Sequence, residues 1–350
     1  MIPNSTTDYT DVSRNTASYL WKWHGAEVIF LCLMLVLAIL GNILVIYIYH
    51  FRWRRSNFSL FIEVLAALDL TNASITIPLF LVITLNDQNH RFTVVCQTSS
   101  FVAMTTVMAS AVVLVVIAFD RNRNICNPLK KKISVDSARK FCLLGLVVGI
   151  AVAIPSIFVN GRRELMFEDN GVRVNITQCY FREEMDWTAL FWFFMTILSV
   201  VFIAVMITLA FLYISIYRAL KIHTARRPST TICEKKNKMF RSHKTSAKIF
   251  FAVTVAFFCS YFPYFIAVIV FLFDGQLNVL SPGVKAVADI AKLSPLMSNA
   301  VNPLIYSVSS KRFRKEVFDV FRCAGFKQTP SERGRTVVQG TASSTADADP

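Results

Sequence analysis

The sequence predicts an all-α membrane protein: a bundle of seven transmembrane helices followed by a short amphipathic eighth helix. Three observations carry this reading. Seven apolar segments are each long enough to cross the hydrocarbon core of a bilayer, which takes about 20 helical residues. Of the 350 residues, 54% are hydrophobic and 17% charged, whereas a soluble domain is about one quarter charged. The basic residues also crowd into alternate connecting stretches, as they do in multispanning proteins. A net charge of +15 would suggest a nucleic-acid partner in a soluble protein. Here the Lys and Arg lie in short runs between apolar segments rather than on one polar domain, so no nucleic acid is expected.

The spans fall near 27–50, 59–85, 97–119, 140–159, 188–217, 247–273 and 284–308. A helix is expected in each because lipid offers the backbone no hydrogen-bond partner. The third and seventh are diluted with Ser, Thr, Asn and Lys, and such residues usually face a bundle interior. Orientation follows from charge. Stretches 51–58, 120–140, 218–248 and 309–350 hold 3, 7, 10 and 8 of the 37 Lys and Arg, leaving 9 elsewhere. The crowded set is cytoplasmic, so the N-terminus lies outside and the chain is expected at the plasma membrane. Residues 1–26 form the extracellular N-terminal segment. They lack the short apolar core of a cleaved signal peptide, so the first span is expected to act as a signal-anchor. The sequons at Asn4 and Asn175 both fall on the outside and are candidate glycosylation sites.

The bundle occupies 27–308, an amphipathic juxtamembrane helix 309–323, and a polar, disordered tail 324–350. In the juxtamembrane helix Phe313, Val317 and Phe321 recur every four residues and share a face with Phe318. That face suits the inner leaflet, with basic residues near anionic lipid. Cys323 follows as a candidate palmitoylation site. Between the fourth and fifth spans, Asn170-Gly171 stands between two partly alternating runs, a hairpin signal. No internal repeat suggests the inverted halves of a transporter.

Asn302-Pro303-Leu304-Ile305-Tyr306 closes the seventh span and resembles the N-P-x-x-Y signature of rhodopsin-like (class A) G-protein-coupled receptors. Proline removes a backbone donor and loosens the helix, and Asn and Tyr place polar groups near its inner end. Other segments fall into register with that family over roughly 27–323. Gly41-Asn42 lies in the first span, and Leu65-Ala66-Ala67-Leu68-Asp69 resembles the L-x-x-x-D of the second. Asp120-Arg121-Asn122 resembles the D-R-Y end of the third. Phe257-Phe258-Cys259-Ser260-Tyr261-Phe262-Pro263 resembles the F-x-x-C-W-x-P of the sixth span, with Phe257, Tyr261 and Pro263 as the hinge.

The resemblance implies site residues. Cys96 and Cys179 are expected to form the disulfide from the third span to the second extracellular loop. Asp69, Ser110, Ser298 and Asn302 match a sodium site, with the ion as allosteric ligand and no other cofactor. Asp120, Arg121, Tyr213, Asn302, Pro303 and Tyr306 match the G-protein switch, a two-state element without catalytic residues. Implied partners are a heterotrimeric G protein, arrestin, a receptor kinase and membrane lipid. The chain departs from the family at Asn122 and Tyr261. The fourth-span Trp falls at Gly145 or Leu146, and the fifth-span Pro at Val205. His243 stands where an acid often restrains the D-R-Y arginine, so raised ligand-independent signalling is expected.

Ligand-pocket candidates are Ala103, Asp289 and Lys292. Ala103 occupies the position where amine receptors carry an Asp. Leu296 stands where opsins carry the Schiff-base Lys, and Lys292 lies one turn further out. Thr76-Ile77-Pro78 resembles the kink of peptide receptors, and the outer surface carries 12 acidic against 9 basic residues. The expected ligand is therefore an extracellular peptide, as in invertebrate-type neuropeptide receptors. The alternatives are a non-amine small molecule or lipid, an opsin-like photoreceptor and a transporter.

Overall fold

The computed structural model describes residues 8–86, 93–169, 172–185, 188–225, 234–274 and 282–325, with side chains omitted toward several segment ends and in most of the hairpin. The sequon at Asn4, the Asn170-Gly171 turn and the tail from 326 lie outside the described residues. So do the side chains of Asn175 and Cys323.

Six helices are each long and apolar enough to cross a bilayer. They are α1 (Asp8–Tyr47), α2 (Asn57–Leu85), α3 (Thr93–Cys126), α4 (Val135–Ala153), α5 (Ala189–Ala225) and α6 (Glu234–Asp274). The seventh crossing is composite, with α7 (Pro282–Leu293), a 3₁₀ turn (Ser294–Leu296) and α8 (Met297–Ser309). An amphipathic α9 (Lys311–Gly325) follows. The chain is thus a multispanning helical membrane protein. Helix α3 is its axis, packing against α2, α4, α5 and α6. On the α5 surface Ile203, Ile207, Phe211 and Ile214 stay exposed, as lipid-facing residues do, since lipid solvates them as well as protein would.

Three local differences from the sequence reading have physical causes. Helix α1 begins at Asp8, inside the stretch read as an N-terminal segment. Its outer part docks on α7, where Lys285 Nζ donates to Trp23 O at 3.1 Å. The seventh crossing breaks at Pro295, which has no N–H for the carbonyl of Ala291. The Ser294 hydroxyl stands in, 2.8 Å from that carbonyl and 2.7 Å from Ser260 O of α6. Finally, the apolar face of α9 divides. Phe313 is buried and stacks on Tyr49 with ring centroids 5.8 Å apart, while Phe318 and Phe321 remain exposed for the leaflet. Arg52, in the π turn ending the first crossing, anchors α9 through Glu316 at 2.7 Å.

Pro303 sets the same problem in α8, leaving the carbonyl of Asn299 without its helical donor. Asn42 Nδ2 supplies one from α1 at 2.8 Å. The adjacent Gly41 makes the approach possible, because a Cβ there would lie 2.7 Å from Pro303 Cγ. The Gly-Asn pair of the first span and the Pro of the seventh are two halves of one contact.

Between α4 and α5 the chain forms an antiparallel hairpin, β1 (Asn160–Asp169) with β2 (Val172–Phe181), in register from Asn160↔Phe181 to Asp169↔Val172. Cys179 of β2 is disulfide-bonded to Cys96 near the outer end of α3, as expected from the sequence. Tyr180 and Phe181 pack with Phe191 and Phe194 of α5. The hairpin is thereby tied down at both of its sides.

Candidate functional site

An elongated cavity opens beneath the hairpin, about 250 Å³ in volume, with walls from α1, α2, α3, α5, α6 and the seventh crossing. Its deeper wall is apolar and aromatic. Phe257, Phe258 and Tyr261 come from α6, Phe202 from α5, and Met104 and Met108 from α3. The rings interlock, with Phe257 and Tyr261 centroids 4.7 Å apart and Phe202 and Phe258 5.4 Å apart. All three sequence-predicted pocket residues, Ala103, Asp289 and Lys292, line this cavity. Leu296 and Val205, two of the family departures, line it as well.

The polar groups gather at the outer rim. Lys285, Asp289 and Lys292 recur at i, i+4 and i+7, which puts them on one helix face. Asp289 sits between the two lysines, 2.5 Å from Lys285 Nζ and 3.6 Å from Lys292 Nζ. Lys285 is only 1% exposed, so the ion pair with that carboxylate is a buried one. The Lys292 ammonium lies 5.0 Å from the Tyr180 ring centroid, a cation–π distance. Across the rim, Glu27 of α1 accepts from Thr84 of α2 at 3.0 Å and meets His24 Nδ1 at 3.1 Å. Sequence reasoning missed His24, Glu27, Thr84 and Lys285. The only signal available was an acid at the outer edge of the first span, three residues after a histidine.

Below Tyr261 lies a second, small cavity of about 20 Å³, room for roughly one water or a small ion. Asp69, Ser110, Ser298 and Asn302 all line it, so the structure brings the four predicted residues together. Asn302 Nδ2 donates to Asp69 Oδ2 at 2.7 Å, and Ser298 Oγ donates to Pro295 O at 2.7 Å. Tyr261 and Phe257 line both cavities, so the sixth-span hinge is the partition between them. Pro263 lies within α6, two residues beyond Tyr261 of that partition.

At the inner end Asp120 and Arg121 form a buried ion pair. Asp120 also accepts from Asn57 Nδ2 and Asn124 Nδ2, each at 3.1 Å. Arg121 lies 5.9 Å from the Phe250 ring centroid. Tyr213 bonds Thr254 of α6 at 3.1 Å, while Tyr306 packs edge-on against Tyr49 and Phe313, both at 6.2 Å. The two tyrosines therefore have separate partners in this packing and do not meet over Arg121. Asn122 reaches α5, 3.5 Å from Leu212 O.

Comparison with known proteins agrees with this geometry. The profile of the 7 transmembrane receptor (rhodopsin family) matches residues 41–306. The chain is 25% identical to the QRFP-like peptide receptor of Branchiostoma floridae over 87% of its length and 79% of the relative's. To the human neuropeptide S receptor it is also 25% identical, over 87% and 82%. To the human neuropeptide Y receptor type 2 it is 26% identical, over 83% and 75%. Among solved structures, squid rhodopsin superposes with a TM-score of 0.71 at 20% identity, covering 88% of this chain and 87% of that one. That last likeness is one of fold.

Proposed function

Since the chain belongs to the rhodopsin family of seven-transmembrane receptors, we propose that it is a plasma-membrane receptor with its N-terminus outside. An extracellular peptide binds it, and the chain then activates a heterotrimeric G protein. The observation that carries the reading is the column of sites under the hairpin. A ligand in the outer cavity presses on Tyr261 and Phe257, which also wall the Asp69 cavity, and α6 continues inward to Thr254 and Tyr213. A shift of α6 would break the Tyr213–Thr254 bond and widen the face around Arg121. Such a ligand biases two packings of one bundle and performs no chemistry.

A peptide suits a cavity with an aromatic floor, a charged rim and a hairpin along one side, and the three relatives carry peptide-receptor names. Retinal is disfavoured because Leu296 takes the Schiff-base position and Lys292 is engaged with Asp289 and Tyr180. Arrestin and a receptor kinase would read the cytoplasmic face, and inner-leaflet lipid would meet Phe318 and Phe321 of α9. Cells expressing the chain and challenged with a neuropeptide library should show a calcium or cyclic-nucleotide response to at least one member. Silence toward every peptide, with a response to a lipid or an amine, overturns the peptide assignment.

The small cavity suits a sodium ion. Asp69, the hydroxyls of Ser110 and Ser298, and Asn72 Oδ1, which has no hydrogen-bond partner among the described residues, are oxygen donors around it. A bound ion would neutralise the buried carboxylate and hold α2, α3 and α8 in the resting packing. Raising sodium should therefore lower agonist affinity several-fold in the wild type and leave Asp69→Asn unaffected. Equal insensitivity in both proteins would remove the ion from the account.

A further inference from the structure

A third cavity, about 660 Å³, lies at the cytoplasmic end. Its cationic residues come from three elements, Arg121 on α3, Lys132 on the segment before α4 and Arg312 on α9, and α6 adds the His243 imidazole. Ser56, Asn57, Ser242, Thr245, Ser246 and Ser310 add hydroxyl and amide groups, and no acidic side chain is among the described lining residues. The carboxylates nearby are already committed. Asp120 holds Arg121 and accepts from Asn57 and Asn124, and Glu316 holds Arg52. Neither Lys132 nor Arg312 makes an ion pair among the described residues; Arg312 instead lies 3.9 Å from the Trp53 ring centroid. Arg121 Nε is buried without a hydrogen-bond partner among the described residues. Among the described residues the cup thus holds two cations without an ion-pair partner, Lys132 and Arg312, beside hydroxyl and amide groups.

We propose that this cavity binds a multiply phosphorylated inositol, free or as a lipid headgroup, and that the bound anion holds the resting packing. Lys132 and Arg312, on separate elements around one cavity, are matched by more than one phosphate on a single ring, whereas a lone phosphate is matched to one of them. Arg and Lys are strong phosphate partners, and the surrounding hydroxyls suit a polyhydroxylated ring. The anion would bridge α3, α6 and α9, doing from outside what an acid at His243 would do from within. It would also occupy the face that must open, so it opposes transducer entry. This rests on the receptor reading only for its consequence; the binding itself does not.

The test uses purified full-length receptor in neutral-lipid nanodiscs, without ligand or G protein, so that a chain coupling to nothing could still bind. Inositol hexakisphosphate should raise the thermal midpoint saturably, and equimolar inorganic phosphate should do so far less. Lys132→Gln and Arg312→Gln should each weaken the half-saturating concentration by about tenfold, the worth of one charge-assisted contact. Lys131→Gln, on a neighbouring residue outside the cup, should not. His243→Glu should abolish the shift and raise the midpoint of the anion-free protein. Nanodiscs carrying phosphatidylinositol 4,5-bisphosphate, without the soluble anion, separate the sources. Stabilisation there alone assigns a lipid headgroup, and stabilisation by the soluble anion assigns a cytosolic one. No shift from either, or an undiminished shift in both the Lys132 and Arg312 variants, overturns the proposal.

Discussion

Asp289→Ala is expected to destabilise the receptor by about 3–5 kcal/mol, the usual cost of removing one partner from a buried ion pair. The carboxylate stands between Lys285 and Lys292, and Lys285 is buried, its ammonium held by Asp289 and Trp23 O alone among the described residues. Without it two ammonium groups face each other on one helix face, in a region of low dielectric. The outer part of α1, which leans on Lys285 through Trp23 O, should loosen as well. The thermal midpoint of purified receptor should fall by on the order of 10 °C, with surface expression falling in parallel. Lys285→Met added to Asp289→Ala should recover much of the loss, because an apolar side chain of similar length can be buried without a partner. Asp289→Asn should fall between, keeping an acceptor but losing the charge. A single variant as stable as the wild type would mean that water reaches this cluster freely.

What could be read without coordinates divides along a physical line. Hydropathy reports partition into lipid, and the Lys and Arg bias reports topology, so the spans and their order were accessible. Asn-Gly between alternating runs is a local turn preference, and the hairpin around it followed. The Asp69 quartet was found through family spacing, since no local rule brings α2, α3 and α8 to one 20 Å³ cavity. The rest depends on contacts between elements. Glu27 stood at a span edge, where a carboxylate usually meets water, and only the arrival of Thr84 and His24 turns it inward. Pro295 sits in a segment whose hydropathy hardly registers a break, yet it splits the crossing in two. Phe321 shares a four-residue rhythm with Phe313 and Phe318 shares their face, but only docking on Tyr49 decides which ring enters the protein.

The largest effect of a minimal change is expected at Gly149. A Cβ on Gly149 would lie 2.6 Å from Thr105 O and 3.0 Å from Ala109 N, both backbone atoms of α3. Backbone in a helix cannot swing aside, so α3 and α4 would have to part. At Gly145 the first atom met is Val112 Cγ1 at 3.1 Å, a side-chain methyl that can yield by a few tenths of an ångström. Membrane helices gain little from the hydrophobic effect between them and rely on such close approach. Gly149→Ala should therefore cost roughly 1–3 kcal/mol, the range for overpacking, and Gly149→Val more, while Gly145→Ala should cost less than either. The consequence extends past stability, because α3 carries Cys96, Ala103, Asp120 and Arg121. Displacing it should shift both agonist affinity and basal signalling, although neither glycine lines the outer or the cytoplasmic cavity. Thermal midpoints of the three variants, with agonist dose–response curves, give the ordering. If Gly145→Ala proves the more damaging, or Gly149→Ala is silent, the close α3–α4 contact is not what excludes a larger residue here.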